Sequence, residues 1–211
     1  MIERRGNPEV RVRLLEGAAR LLAEEGPSAL TLRRVATEAD TSTMAVYTHF
    51  GSMADLAHAV VGEGFARLGV LLAEVPRTDD AITDLAGLAR AYLANARQNP
   101  HLYAVMFGTA PLGGYRPQAT DERAQGQYTF DEVVEASRRA VDQGRLTPAE
   151  PQAIASQLWT AMHGYVTLDV AGFFGKGGVE HVLVPMFVSL LGGLGADPDA
   201  TLTSIRTLAT N

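Results

Sequence analysis

The stretch Thr31–Phe50, TLRRVATEADTSTMAVYTHF, decides the fold. Leu32, Val35, Ala36 and Ala39 fall at i, i+3, i+4 and i+7, one apolar stripe on a two-turn helix. Thr31 precedes it as a helix cap, its hydroxyl placed to accept from an orphan backbone N–H. Asp40-Thr41 breaks the stripe. A second short helix over Ser42–His49 turns Ala45, Val46 and Phe50 inward. Two short helices around a turn of three or four residues make a helix-turn-helix. In such a unit the first helix holds the second at a fixed angle, and the N-terminal end of the second suits the DNA major groove. Ser42 and Thr43 bring small hydroxyls for base edges, and Met44 an apolar side chain for a thymine methyl. Tyr47, Thr48 and His49 sit at the far end, where hydroxyl and ring N–H groups reach phosphates. Thr31 offers a hydroxyl and a backbone N–H at a helix start. Arg33 and Arg34 lie on the outward side, and Arg33 is read as a phosphate contact. An ordinary helical hairpin with solvated Ser and Thr is the plain alternative.

Helical spacing continues on both sides. Val10, Leu14, Ala18, Leu21 and Leu22 form the stripe of a first helix that stops at Gly26-Pro27. After the motif, Ser52-x-x-Asp55 has capping-box spacing before a long helix to about Val75. Ile82, Leu85, Leu88, Ala89 and Tyr92 belong to the next. Pro100 opens a short helix to Phe107, and Gly108–Asp121 reads as the longest loop. Glu122–Gln143 is helical. Thr147-Pro-Ala-Glu150 predicts a cap with Pro at the first helical position, and that helix runs to about Phe174. Val179–Leu191 is one more apolar helix, with a short one in the tail. The fold class is therefore all-α, of nine or ten helices. Short helices at 1–54 form a head, and longer ones at 55–211 form a second domain.

Composition narrows the chemistry. The 211 residues contain no cysteine, which excludes disulfide frameworks, Cys-ligated zinc, iron–sulfur clusters and thiol catalysis. The five histidines never stand four apart, so no helical metal pair is expected. Gly62-x-Gly64 lies in a helical pattern with no strand before it and is no dinucleotide fingerprint. No cofactor, metal or catalytic set is expected. The N-terminus lacks an apolar signal core, and Val182–Ala196 is too short for a membrane span, so a cytoplasmic chain with no membrane partner is expected. The net charge of −6 seems to oppose nucleic-acid binding. Residues 1–50, however, carry seven arginines and seven acids, so the whole deficit lies beyond the head.

The pattern Ala18, Leu21, Leu22, Ala23, Gly26, Leu30, Thr31, Arg33, Val35, Ala36, then Val46, Tyr47, His49 and Phe50, resembles the TetR family of bacterial transcription regulators. Leu158-Trp159-x-x-x-His163-Gly164 resembles the Trp-His-Gly element of one C-terminal domain type of that family. The resemblance implies a homodimeric repressor on palindromic double-stranded operator DNA, released by a small hydrophobic effector. It extends base contact over Ser42–Ala45. It implies a dimer seam, read here on Val166, Phe173, Val182, Met186 and Leu190. Two positions depart from the family. Asp40 stands where a turn glycine is usual, and Met53 where a phosphate-binding lysine is common.

An effector pocket is read on Tyr103, Met106, Phe107, Trp159, Met162 and His163. Trp159 and His163 share a helix face; they can serve as ligand contacts, but a single His on an apolar face is more often structural, so packed core is the favoured reading. A helical-bundle enzyme or carrier working through the same apolar cavity is the alternative function.

Overall fold

Asn7 opens the first helix, its Oδ1 accepting the Glu9 N–H at 3.0 Å while Pro8 takes the first turn, where no N–H is needed. The computed structural model describes residues 7–107 and 119–206, with side chains described outside 119–125. Among these residues there are ten α-helices: α1 (Pro8–Glu25), α2 (Leu32–Glu38), α3 (Thr43–Phe50), α4 (Met53–Ala73), α5 (Ala81–Gln98), α6 (Pro100–Met106), α7 (Ala119–Asp142), α8 (Pro151–Val170), α9 (Val184–Gly193) and α10 (Pro198–Ser204). No strand occurs among the described residues. The chain is all-α, as its spacing predicts. The expected loop over Gly108–Asp121 lies outside the described residues, apart from 119–121, which open α7.

Two compact units divide the chain: Met1–Arg67 with Asn99–Gly126, and Leu68–Gln98 with Gln127–Asn211. The division falls inside α4 and α7, not at residue 54. The reason is α6. Asn99-Pro100 breaks it from α5, and its apolar face packs on α1 within the first unit. Met106 lies against Gly64 of α4, where a Cβ would stand 2.6 Å from its sulfur. Phe107 meets Phe65 edge-on at 5.6 Å and Tyr103 at 4.8 Å. Leu14, Leu22, Val35 and Val46 are wholly buried in this unit. Each such side chain contributes roughly 1.5–3 kcal/mol by leaving water.

α4 is long and apolar enough to span a membrane by length and composition. Leu56, Val60, Val61, Leu68 and Leu72 form an inward, buried stripe along it, while Val70 is exposed.

The second unit is stapled at the start of α5. Asp80 accepts from the Ile82 N–H at 3.1 Å and the Thr83 hydroxyl at 2.9 Å, and it also binds Arg145 and the Ser204 hydroxyl. Partial burial would raise this carboxyl. The bonds from Ser204, Thr83 and Ile82, with the charge of Arg145, hold it below the usual range. One carboxylate thus joins α5, the turn after α7, and α10.

Two local expectations fail. α8 begins at Pro151 rather than Pro148. The reason is at Thr147, whose N–H and hydroxyl both donate to the Leu194 carbonyl, at 2.9 and 2.8 Å. That hydroxyl caps the end of α9 instead of the start of α8. Nor is Val179–Leu191 one regular helix. Val179–Leu183 is a π turn leading into α9. Pro185 lacks an N–H, and its ring would meet the carbonyl four residues back, so the preceding turn widens.

Candidate nucleic-acid interface and effector cavity

α2 ends on a Schellman turn. Asp40 N–H donates to Thr37 O at 3.1 Å and Thr41 N–H to Ala36 O at 2.9 Å. Asp40 has φ 47°, the one positive value outside glycine among the described residues. Asp tolerates this region better than most side chains, so the turn forms without the usual glycine.

The caps of α2 and α3 leave their hydroxyl protons available. Thr31 Oγ1 accepts the Arg34 N–H at 3.4 Å, and Ser42 Oγ accepts the Ala45 N–H at 3.3 Å. Both can still donate to DNA. Met44 is 66% exposed and Tyr47 48% exposed, while Val46 between them is wholly buried. Ser42, Thr48 and Arg33 are exposed, and Thr43, Ala45 and His49 half-buried. Thr48 is committed elsewhere, its hydroxyl donating to Met44 O at 2.9 Å. A phosphate contact there requires a rotamer change. Arg11, on α1, lies over the Phe50 ring at 5.0 Å and ties α1 to the end of α3. At the start of α4 the Ser52 hydroxyl accepts the Asp55 N–H at 3.1 Å and donates to the Asp55 carboxylate at 2.6 Å. Asp is one methylene shorter than the Glu of a full capping box, and its carboxylate stops at the hydroxyl.

The second unit holds an apolar slot of about 30 Å³. Leu72, Leu85, Leu88, Ala89 and Tyr92 form one wall, and Val133, Leu158, Trp159, Met162 and Phe187 the other. Trp159 is packed edge-on by Tyr92 at 5.0 Å and Phe130 at 5.6 Å. Of the pocket residues read from sequence, Trp159 and Met162 line the slot. His163 stands behind it, its Nδ1 sharing a 3.1 Å hydrogen bond with the Tyr92 hydroxyl. Tyr103, Met106 and Phe107 do not line it, because α6 belongs to the first unit. Sequence reasoning missed the α5 wall. The signal was present, since Leu85, Leu88, Ala89 and Tyr92 share a helical stripe, but spacing alone does not say what a stripe faces.

Burial holds His163 below the ordinary imidazole value of 6.5. As pH falls through that value, the unfolded chain takes up a proton that the folded chain resists. Stability contributed by the neutral ring is therefore present above the unfolded value and lost on acidification. Urea midpoints should drop between pH 7.5 and pH 5.5, and His163→Gln should flatten that drop. An equal drop in the variant would assign the effect to other groups.

The seam residues divide likewise. Val166 is wholly buried within its own chain, so it is not available to a partner. Phe173 is 74% exposed, and Val182, Met186 and Leu190 are half-buried. Beside Leu190 a shallow hollow is lined by Ser156, Gln157, Thr160 and Ala161 of α8.

A short helix held by a Schellman turn, with exposed Ser, Met and Tyr over a buried Val, defines a helix-turn-helix DNA-binding transcription regulator. Residues 14–60 match the model of bacterial regulatory proteins of the tetR family, and residues 85–183 that of the tetracyclin repressor-like C-terminal domain. The chain is 29% identical over 195 residues to the uncharacterized HTH-type transcriptional regulator Rv0681 of Mycobacterium tuberculosis, covering 86% of this chain and 79% of that one. It is 30% identical to the regulator Mb1581 of Mycobacterium bovis, covering 72% of each. A solved protein of unknown function from Rhodococcus sp. RHA1 superposes with a TM-score of 0.74 at 29% identity, over 90% of this chain and 97% of that one. The chain belongs to the TetR family of transcription regulators.

Proposed function

We propose that the protein is a cytoplasmic, homodimeric repressor that reads a palindromic operator and leaves it when a small hydrophobic effector binds the second unit. Ser42, Thr43, Met44 and Ala45 contact bases, and Thr31, Arg33, Tyr47, Thr48 and His49 contact phosphates. The observation that carries this reading is the exposure of Met44 and Tyr47 around a buried Val46, two large side chains that present much of their surface to water beside a core residue. A two-fold dimer sets its recognition helices about 34–36 Å apart, one turn of the duplex. The outward residues of α8 and α9, Thr160, Leu168, Met186 and Leu190 among them, supply the apolar seam. The slot beside Trp159 receives the effector, which acts by binding the released form more tightly than the DNA-bound form.

Footprinting on genomic fragments tests the reading. The expected result is an inverted repeat with half-sites one helical turn apart, protected by a species of twice the chain mass. Protection without sequence preference would sink it.

A further inference from the structure

α1 and α2 exchange charge at two places. Arg34 of α2 forks onto Glu25 of α1, with Nη1 donating to Oε2 at 2.9 Å and Nη2 to Oε1. In the reverse sense, Arg20 of α1 donates through Nε to Glu38 of α2 at 2.7 Å. The Glu38 stem crosses α1 at Gly17, where a Cβ would stand 3.2 Å from its Cγ, so the glycine makes room for the pair. Arg33, one residue before Arg34, has no ion-pair partner among the described residues. We infer that Glu25 sets how much of the head's positive charge DNA can use, by making Arg34 a positioning residue for α2 and not a phosphate contact.

The physical reason lies in what drives non-specific binding. Affinity rises with each phosphate that a cation neutralises, because condensed counterions are released. A guanidinium already forked onto a carboxylate presents no net charge to the backbone. Its paired N–H groups are spent in the bidentate geometry that a phosphate would also want. The Arg34 bond holds the Glu25 carboxyl below the usual range, so the pair remains ionised at neutral pH. Both side chains are nearly half exposed, so water and DNA reach them, and the competition between carboxylate and phosphate is real. Arg34 is thereby withdrawn while Arg33 remains.

The test is the salt dependence of binding to a labelled random-sequence duplex between 50 and 200 mM KCl, using the full chain. Glu25→Gln should steepen the slope of log K against log[salt] by about 0.9 per head, an extra loss of roughly threefold across that range. The double variant Glu25→Gln/Arg34→Gln removes both charges of the pair and should return to the wild-type slope. Arg33→Gln should flatten the slope by about 0.9 per head. The inference is overturned if the double variant flattens the slope as Arg33→Gln does, or if it keeps the steeper slope of Glu25→Gln. Circular dichroism reports whether each head is folded. If Glu25→Gln unfolds it, the double variant and Arg33→Gln decide the matter between them.

Discussion

Met44→Ala should lower operator affinity roughly 10- to 100-fold, the 1–3 kcal/mol of a specific groove contact, and leave random-sequence binding nearly unchanged. The argument starts from exposure. Met44 is 66% exposed near the start of α3, on a helix of eight residues. Its carbonyl accepts the Thr48 hydroxyl, but its side chain supports no core. Truncation therefore costs little in the free protein. In the complex the thioether would leave water against a thymine methyl, and full burial of a methionine is worth about 1.5–3 kcal/mol. The energy belongs to the base and vanishes with the wrong sequence. His49→Ala and Tyr47→Phe make the contrast, since a lost phosphate contact weakens every duplex alike and flattens the salt slope. Equal losses on operator and random DNA for Met44→Ala would move it from base reader to backbone contact.

The head was legible because each of its signals is local. The Thr31 cap, the Leu32-Val35-Ala36-Ala39 stripe, the break at Asp40 and the Ser42 cap each concern residues within a turn or two of each other. The second unit was less so, for a physical reason that recurs. Thr147 looks like a helix cap by spacing, but its hydroxyl is taken by a carbonyl 47 residues away. Tyr103 and Met106 look like pocket residues by type, but α6 turns them into the first unit once Pro100 breaks the chain. Trp159 and His163 share one face by their spacing, while Tyr92, which meets both, stands 71 residues before His163. Side chains whose role depends on a distant segment carry no mark of it in their own spacing.

Saturating effector should raise the melting temperature by roughly 5–10 °C and change the fluorescence of Trp159 in the same titration. The magnitude follows from mass action. Ligand at a hundred times its dissociation constant stabilises by about 2.7 kcal/mol, and a chain of this size shifts by about 2–4 °C per kcal/mol. The chain has a single tryptophan, and it forms part of the slot wall, so the signal has one source. At about 30 Å³ the slot holds no more than a water or two. Ligand pockets run to roughly 300–1,000 Å³, so an effector must part the walls. Parting the walls at Trp159 would separate its edge-on contacts with Tyr92 and Phe130, which an effector ring would have to replace. Tyr92 also shares a 3.1 Å hydrogen bond with His163, so a ligand that displaced it would act on α5 and α8 together. Ala89→Leu fills the slot from the α5 side and should abolish both the thermal shift and the release of DNA, with operator affinity kept. An effector that releases DNA from Ala89→Leu as well as from the wild type, with Trp159 fluorescence unmoved, would place its site elsewhere in the chain.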